Sequence, residues 1–406
     1  MIINFSIQNF GSIKERQTLS FEAKNGTMLE DYYILQPTAG LRLVKLGLIY
    51  GANASGKTTV LKALDFLRNL VLNPADKKTE RLDFQPFLFD NDTVHQGTQL
   101  TIEFVQNKIR YFYEVLFTPK AILKEALYFH KPNKALVFSR FSDTEKQLTH
   151  ITFGSKIKKD KSFETILQAN TLWNNTVLGG FLKTNIERIE LKEVIDWFST
   201  YLNPLILTST ELQHYITQQI DKKVIQKETL IEILQQADFN ISDIVIRPKE
   251  EKQPAELKNI AFEHTIQAQK YQLSFELESH GTQRYYGFAG LLSLLIQNAV
   301  LFSIDELEAS LHPDLYLHFL LSFLKNAKNS QVVATTHNRE LLNNKDLFRN
   351  DAIWFTDKNE VGATELYSLA DFDSKVIRDT NNIYNAYKVG KLGGVPNLGD
   401  HFITIL

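Results

Sequence analysis

Hydrophobic and polar positions alternate through the first fifty residues, with Ile3, Phe5 and Ile7 on one side of a period-two repeat and Thr18 to Phe21 continuing it. Such alternation predicts strands. Leu46-Gly47-Leu48-Ile49-Tyr50 is apolar throughout and predicts a buried strand, whereas Thr59 to Leu70 carries Leu61, Leu64 and Leu67 at helical spacing. Gln99 to Phe117 predicts two strands joined near Asn107-Lys108, and Ile122 to Phe129 and Ala135 to Phe141 extend the same antiparallel sheet. From about Ser155 to Asp238 the text changes to Lys, Glu, Gln and Leu at helical spacing, as in Ile186 to Phe198 and Thr229 to Ala237. Sheet-like text returns at Ile241 to Arg247 and His264 to Glu276. A long apolar helix follows from Tyr285 to Ala299, then apolar strands at Val300 to Ile304 and from Val332 onward. The expected fold class is α/β. One domain, built from residues 1–154 and 241–406, is interrupted by a mainly helical insertion at 155–240.

Between the buried strand and its helix lies Gly51-Ala52-Asn53-Ala54-Ser55-Gly56-Lys57-Thr58, which fits G-x-x-x-x-G-K-[ST]. Glycines allow the backbone to curl so that successive N–H groups face one phosphate, and the helix N-terminus adds partial positive charge. Residues Gly51 through Thr59 are therefore the expected phosphate cradle. Lys57 is placed to reach the outer phosphates, and the Thr58 hydroxyl to ligate Mg²⁺.

Hydrolysis also needs an acid on the metal and a group on the attacking water. The strand Val300 to Ile304 ends in Asp305-Glu306, where a parallel sheet carries its ligands. Asp305 is the expected metal acid and Glu306 the expected general base. Glu278-Ser279-His280-Gly281-Thr282-Gln283-Arg284 opens the long helix, and a Ser-x-Gly-Thr turn there exposes N–H groups and a hydroxyl suited to phosphate. Glu308-Ala309-Ser310-Leu311-His312-Pro313 follows the acids closely. His337 ends the next apolar strand, which favours a contact on the terminal phosphate.

Composition narrows the classes. Of 406 residues 43% are hydrophobic and 23% charged, enough for a sizeable core. The net charge of −2 gives no general basic field for nucleic acid or membrane. Lys156-Ile157-Lys158-Lys159-Asp160-Lys161 is the best candidate for a local basic face and reads as a solvated loop. There is no cysteine, so disulfides, thiolate metal sites and cysteine nucleophiles are excluded together. The start Met1-Ile2-Ile3-Asn4-Phe5 is unlike a signal peptide, and the apolar run Phe288 to Ile296 is too short to span a bilayer. The expectation is a cytoplasmic protein that uses no membrane.

The order of these motifs resembles the ABC-type ATPase heads of the SMC, RecF and OLD group. Ser279-His280-Gly281-Thr282-Gln283 is similar to their signature, Ser310-Leu311-His312-Pro313 to their D-loop, and His337 to their switch histidine. Asn9-Phe10-Gly11-Ser12-Ile13 resembles their opening strand and turn, and Gln85 in Phe84-Gln85-Pro86-Phe87 their metal-contacting Q-loop glutamine. Closer similarity is to bacterial phage-defence ATPases of the RloA and AbiL type. It is carried by Ile102-Glu103-Phe104, Ile122-Leu123-Lys124-Glu125, Phe138-Ser139-Arg140 and Tyr387-Lys388-Val389-Gly390-Lys391-Leu392-Gly393-Gly394-Val395-Pro396.

The resemblance implies ATP and Mg²⁺ as ligands and a homodimer, or a larger even-numbered oligomer. Two nucleotides would be held between the phosphate loop of one copy and Ser279, Gly281 and Thr282 of the other. It also implies a sensor that licenses a separate effector, a nuclease or toxin, on meeting DNA or a phage component. The insertion is too short, and lacks the heptads, for a coiled-coil arm. Asp371-Phe372-Asp373 has nuclease-like spacing but too little chain around it, and reads as a loop. Three other readings stay open: a RecF- or SMC-like repair ATPase acting directly on DNA, a transporter subunit, and a nucleotide-gated scaffold that barely hydrolyses.

Overall fold

The computed structural model describes residues 1–158, 160–247, 259–344, 347–372 and 382–396. Two sheets organise it. A five-stranded sheet runs, in spatial order, Leu301–Ile304, Gln331–Thr335, Leu46–Gly51, Ile353–Lys358 and Thr364–Ser368. Its first four strands are parallel and the last is antiparallel. All six residues of Leu46–Gly51 are buried, as a parallel strand covered on both faces requires. Alternation divides them: Leu46, Leu48 and Tyr50 enter one hydrophobic core and Ile49 the other. The expected class, an α/β P-loop fold with an antiparallel lobe, is the observed one.

That lobe is a seven-stranded sheet, antiparallel throughout, in the order Leu148–Phe153, Lys134–Asp143, Ile122–His130, Ile109–Phe117, Thr98–Gln106, Ile2–Gln8 and Gln17–Ser20. The turn at Asn107-Lys108 has φ of 49° and 64°, the two-residue hairpin whose left-handed positions match strand twist. Helix Lys57–Leu72 supplies Val60, Leu61, Leu64, Leu67 and Val71 to a core that also holds Phe5, Ile7, Ile102 and Tyr113 of this lobe and Ile49 and Val333 of the other sheet. The nucleotide loop is thereby fixed against both sheets.

The second core lies under helix His280–Gln297, buried almost all round. This helix begins five residues before the periodicity suggests, because Ser279 caps it: Oγ accepts the Thr282 N–H at 3.1 Å. Gly287 and Gly290 let helix Leu212–Asp221 press directly on it; a Cβ on Gly290 would lie 2.4 Å from Ile216 Cδ1. The stretch expected as one sheet-like run at His264 to Glu276 is divided. Strand Asn259–Ile266 turns at Gln267-Ala268 into Gln269–Ser274, and both turn residues are left-handed.

The helices between residues 161 and 236 are shared between the two cores. Leu167, Val177, Leu178, Val194 and Trp197 join the P-loop helix, whereas Ile216, Leu230, Ile233 and Leu234 join the long helix. Between them, Leu202 and Ile206 bridge in parallel to Leu301 and Ile304. Ile206 N–H donates to Ser303 O at 2.9 Å, and its carbonyl accepts from Asp305 N–H at 2.8 Å. Asp160 caps the helix Lys161–Asn170 and pairs with Arg188 at 2.9 Å, so the described part of the basic run is a helix entry; Lys159 lies outside the described residues. Asp371 bonds back to Ser368 N–H and closes a single turn, and Asp373 of the acidic pair lies outside the described residues.

Candidate functional site

Gly51-Ala52-Asn53-Ala54-Ser55-Gly56 leaves the end of its strand as a loop whose tip, Asn53 and Ala54, is exposed. Two positions demand glycine. A Cβ on Gly51 would lie 2.4 Å from both Ser55 Oγ and Thr356 Oγ1. Gly56 has φ of 108°, and a Cβ there would meet Thr364 Oγ1 at 2.1 Å. Hydroxyls brace the loop from behind: Ser55 Oγ to Thr356 Oγ1 at 2.6 Å, Thr364 Oγ1 to Ser55 O at 2.8 Å, and Ser12 Oγ to Thr59 Oγ1 at 3.1 Å and Thr364 Oγ1 at 2.8 Å. None of Ser12, Thr356 and Thr364 is marked as a site residue by the motifs, because these contacts depend on which distant segments the fold brings together and not on spacing along the chain.

Lys57 is buried and donates to Gly51 O at 2.9 Å and Ala52 O at 3.0 Å. Burial pulls its ammonium below the ordinary lysine range, and Asp305, Glu306 and Glu308 push the other way. Thr58 Oγ1 lies 3.0 and 3.1 Å from the two carboxylate oxygens of Asp305. Asp305 Oδ1 also accepts from Thr335 Oγ1 at 2.7 Å, and that hydroxyl accepts in turn from Glu306 N–H at 2.8 Å. Glu306 sits at φ of 49°, a left-handed position unusual for a glutamate, with its Oε1 3.9 Å from His337 Nε2. Glu308 Oε1 holds the His337 N–H at 2.5 Å. Lys57, Thr58, Asp305, Glu306 and His337 thus form one cluster at the C-terminal edge of the parallel strands.

A hydroxyl and a carboxylate meeting there form an oxygen-only donor set, which fits Mg²⁺. Thr58 and Asp305 would hold the ion, and the curled N–H groups of the loop with Lys57 would hold phosphates.

Ser279, Gly281 and Thr282 form a second group. Ser279 Oγ lies 2.8 Å from Thr282 Oγ1, and the nearest carbonyl to an added Cβ on Gly281 is Ser310 O at 3.9 Å. The chain's own packing leaves room for a side chain at 281. Gln85 contributes its backbone carbonyl, which accepts Gly11 N–H at 2.7 Å, while its side chain is exposed.

Beyond Thr335, chain returns to the loop from its C-terminal side. Tyr387 OH donates to Gly394 O at 2.9 Å, and Gly394 N–H donates to Asp357 Oδ2 at 2.9 Å. A Cβ on Gly394 would lie 3.4 Å from Gly51 Cα.

Residues 1–342 match the family described as AAA ATPase domain. The chain belongs to the AAA ATPase domain family. In this AAA ATPase domain the matched span contains the phosphate loop, both acids and His337, while Thr356, Thr364 and Gly394 lie beyond it. No curated protein matches the chain. Solved structures similar to it include the SMC head domain from Thermotoga maritima, at 13% identity over 90% of this chain and 98% of that one, with a TM-score of 0.43. A second is an Smc head bound to the C-terminal winged-helix domain of ScpA, at 13% identity, 90% and 97% coverage and a TM-score of 0.45. A third is an Smc head with an extended coiled coil bound to the C-terminal domain of ScpA, from Pyrococcus furiosus, at 12% identity, 97% and 99% coverage and a TM-score of 0.45. Among the described residues no helix is long and apolar enough to cross a membrane.

Proposed function

We propose that this AAA ATPase domain hydrolyses ATP with Mg²⁺, dimerises around two nucleotides, and acts in the bacterial cytoplasm as the sensor of an anti-phage system whose effector is a separate protein. The convergence of Thr58, Asp305, Glu306 and His337 beside the phosphate loop carries the catalytic part. The loop N–H groups and Lys57 bind and orient the phosphates, and Glu306 holds the attacking water. His337, beside Glu306, contacts the terminal phosphate. When bound, the metal supplies charge neutralisation on the phosphate oxygens.

The room at Gly281, next to Ser279 and Ser310, supports contact across a dimer, since the fold of one copy does not itself require a glycine there. Residues 155–240, packed into both cores, are the segment we assign to passing nucleotide state to a partner. The defence role and effector rest on the sequence resemblance to the RloA and AbiL type.

The test is Glu306→Gln with saturating ATP and Mg²⁺, read by light scattering and phosphate release. The expected result is a stable ATP-loaded dimer with phosphate release reduced about 100-fold or more. A mutant that remains monomeric sinks the dimer, and one that hydrolyses at the wild-type rate sinks the assignment of Glu306.

A further inference from the structure

Thr335 closes strand Gln331–Thr335, fully buried and in register with Ile49 of the phosphate-loop strand. Its neighbours Val332, Val333 and Ala334 are apolar, and an apolar residue of the same shape would fill its place. Its hydroxyl instead makes two bonds, donating to Asp305 Oδ1 at 2.7 Å and accepting from Glu306 N–H at 2.8 Å. Its carbonyl accepts from Leu307 N–H at 3.0 Å. One residue of the neighbouring strand is therefore bonded to three successive residues of the acidic turn.

Two consequences follow from that geometry. Thr58 also bonds to Asp305, so when Thr58 turns toward a metal ion the bond from Thr335 still holds the carboxylate. Glu306 is left-handed, and the bond to its N–H ties down a backbone that would otherwise relax and swing the side chain away from His337.

We infer that Thr335 is a positioning residue of the hydrolytic centre, aligning Asp305 for the metal and Glu306 for the water through one hydroxyl. The inference rests on the reading of the site as an Mg²⁺-dependent ATPase. Without that hydroxyl, Asp305 Oδ1 loses a donor and the Glu306 N–H loses its acceptor, while the packing volume stays the same.

The experiment compares full-length wild type, Thr335→Val and Thr335→Ser. Phosphate release is measured, together with binding of a fluorescent ATP analogue, first in chelator and then across a Mg²⁺ titration. For Thr335→Val the expected result is metal-free nucleotide affinity like wild type, with the Mg²⁺ concentration for half-maximal binding and kcat each worsened about 10- to 100-fold. KM should change little, and Thr335→Ser should restore both quantities. Unchanged Mg²⁺ dependence and kcat in Thr335→Val overturn the inference; so does loss of its metal-free nucleotide binding, which would mark a general packing role. If Thr335→Val fails to fold, Thr335→Ala is read in its place by the same criteria. A wild type that releases no phosphate defeats the ATPase reading on its own, and the Mg²⁺ titration of binding still decides the role of Thr335.

Discussion

The hydroxyl of Thr58 lies within 3.1 Å of both carboxylate oxygens of Asp305, although 247 residues separate the two in the chain. The two residues we propose to hold Mg²⁺ are thus brought together from opposite halves of the chain. Asp305→Asn keeps the shape but removes the charge that would balance a divalent ion. Nucleotide binding in chelator should be retained, while Mg²⁺-dependent phosphate release should fall about 100-fold or more. Isothermal titration with and without Mg²⁺, beside a phosphate-release assay, checks this; an unchanged rate would remove Asp305 from the site.

Gly394 approaches Gly51 so closely that a methyl group would meet its Cα at 3.4 Å and Thr356 O at 3.3 Å, and its φ of 67° disfavours any other residue. Gly394→Ala should therefore disturb the first turn of the phosphate loop from outside it. The expected result is about a 10-fold loss of ATP affinity, equivalent to roughly 1.4 kcal/mol, with an unchanged circular dichroism spectrum. Wild-type affinity would show that the contact is incidental.

The motifs show why some of this could be read from the chain and some could not. Lys57, Thr58, Asp305 and Glu306 stand at fixed offsets within strand–loop–helix or strand–acid text, so local pattern was enough to nominate them. Thr335, Thr356 and Thr364 act through strand placement, with Thr335 opposite Ile49 and Thr356 opposite Gly51 on strands far apart in sequence, and Ser12 acts from a turn that folds back on them. A threonine in a β-rich stretch reads only as a good strand former, so their hydroxyl roles left no local trace. The start of the long helix is legible from its Ser-x-Gly-Thr turn and not from the apolar repeat. Its first turn is polar, and the capping bond at Ser279 is a stronger determinant than the apolar repeat.

Gly290 sets two effects against each other. Alanine gains up to about 1 kcal/mol in helix propensity, but its Cβ would sit 2.4 to 2.6 Å from three carbons of Ile216. Overpacking costs about 1–3 kcal/mol and should win. Gly290→Ala is expected to lower the denaturation midpoint, and Gly290→Ala combined with Ile216→Val to recover part of it. A single mutant more stable than wild type would mean that helix Leu212–Asp221 is free to move away.

Glu125 is fully buried in the antiparallel lobe, accepting from Tyr113 OH at 2.9 Å and Val177 N–H at 2.8 Å, with Arg140 Nη1 3.8 Å away. Burial pushes its carboxyl up to about 7, against a lowering by Arg140. A carboxyl raised in the folded state holds its proton where the unfolded chain has lost it. Its contribution to stability is present below the ordinary glutamate range and is lost as pH rises toward 7. Urea denaturation between pH 5 and 7.5 should show wild type losing stability relative to Glu125→Gln as pH increases. Parallel pH profiles for the two proteins would contradict this.

Leu202 to Ile206 takes up the hydrogen-bonding groups on the outer side of the acidic strand, from Asn203 N–H on Leu301 O at 3.0 Å to Asp305 N–H on Ile206 O. Leu301, Ser303 and Asp305 on that flank are thereby engaged within the chain. If copies meet near the nucleotide as we propose, contact through loop tips and helix ends would need no new strand pairing at these positions. Those surfaces can separate again without unzipping a strand.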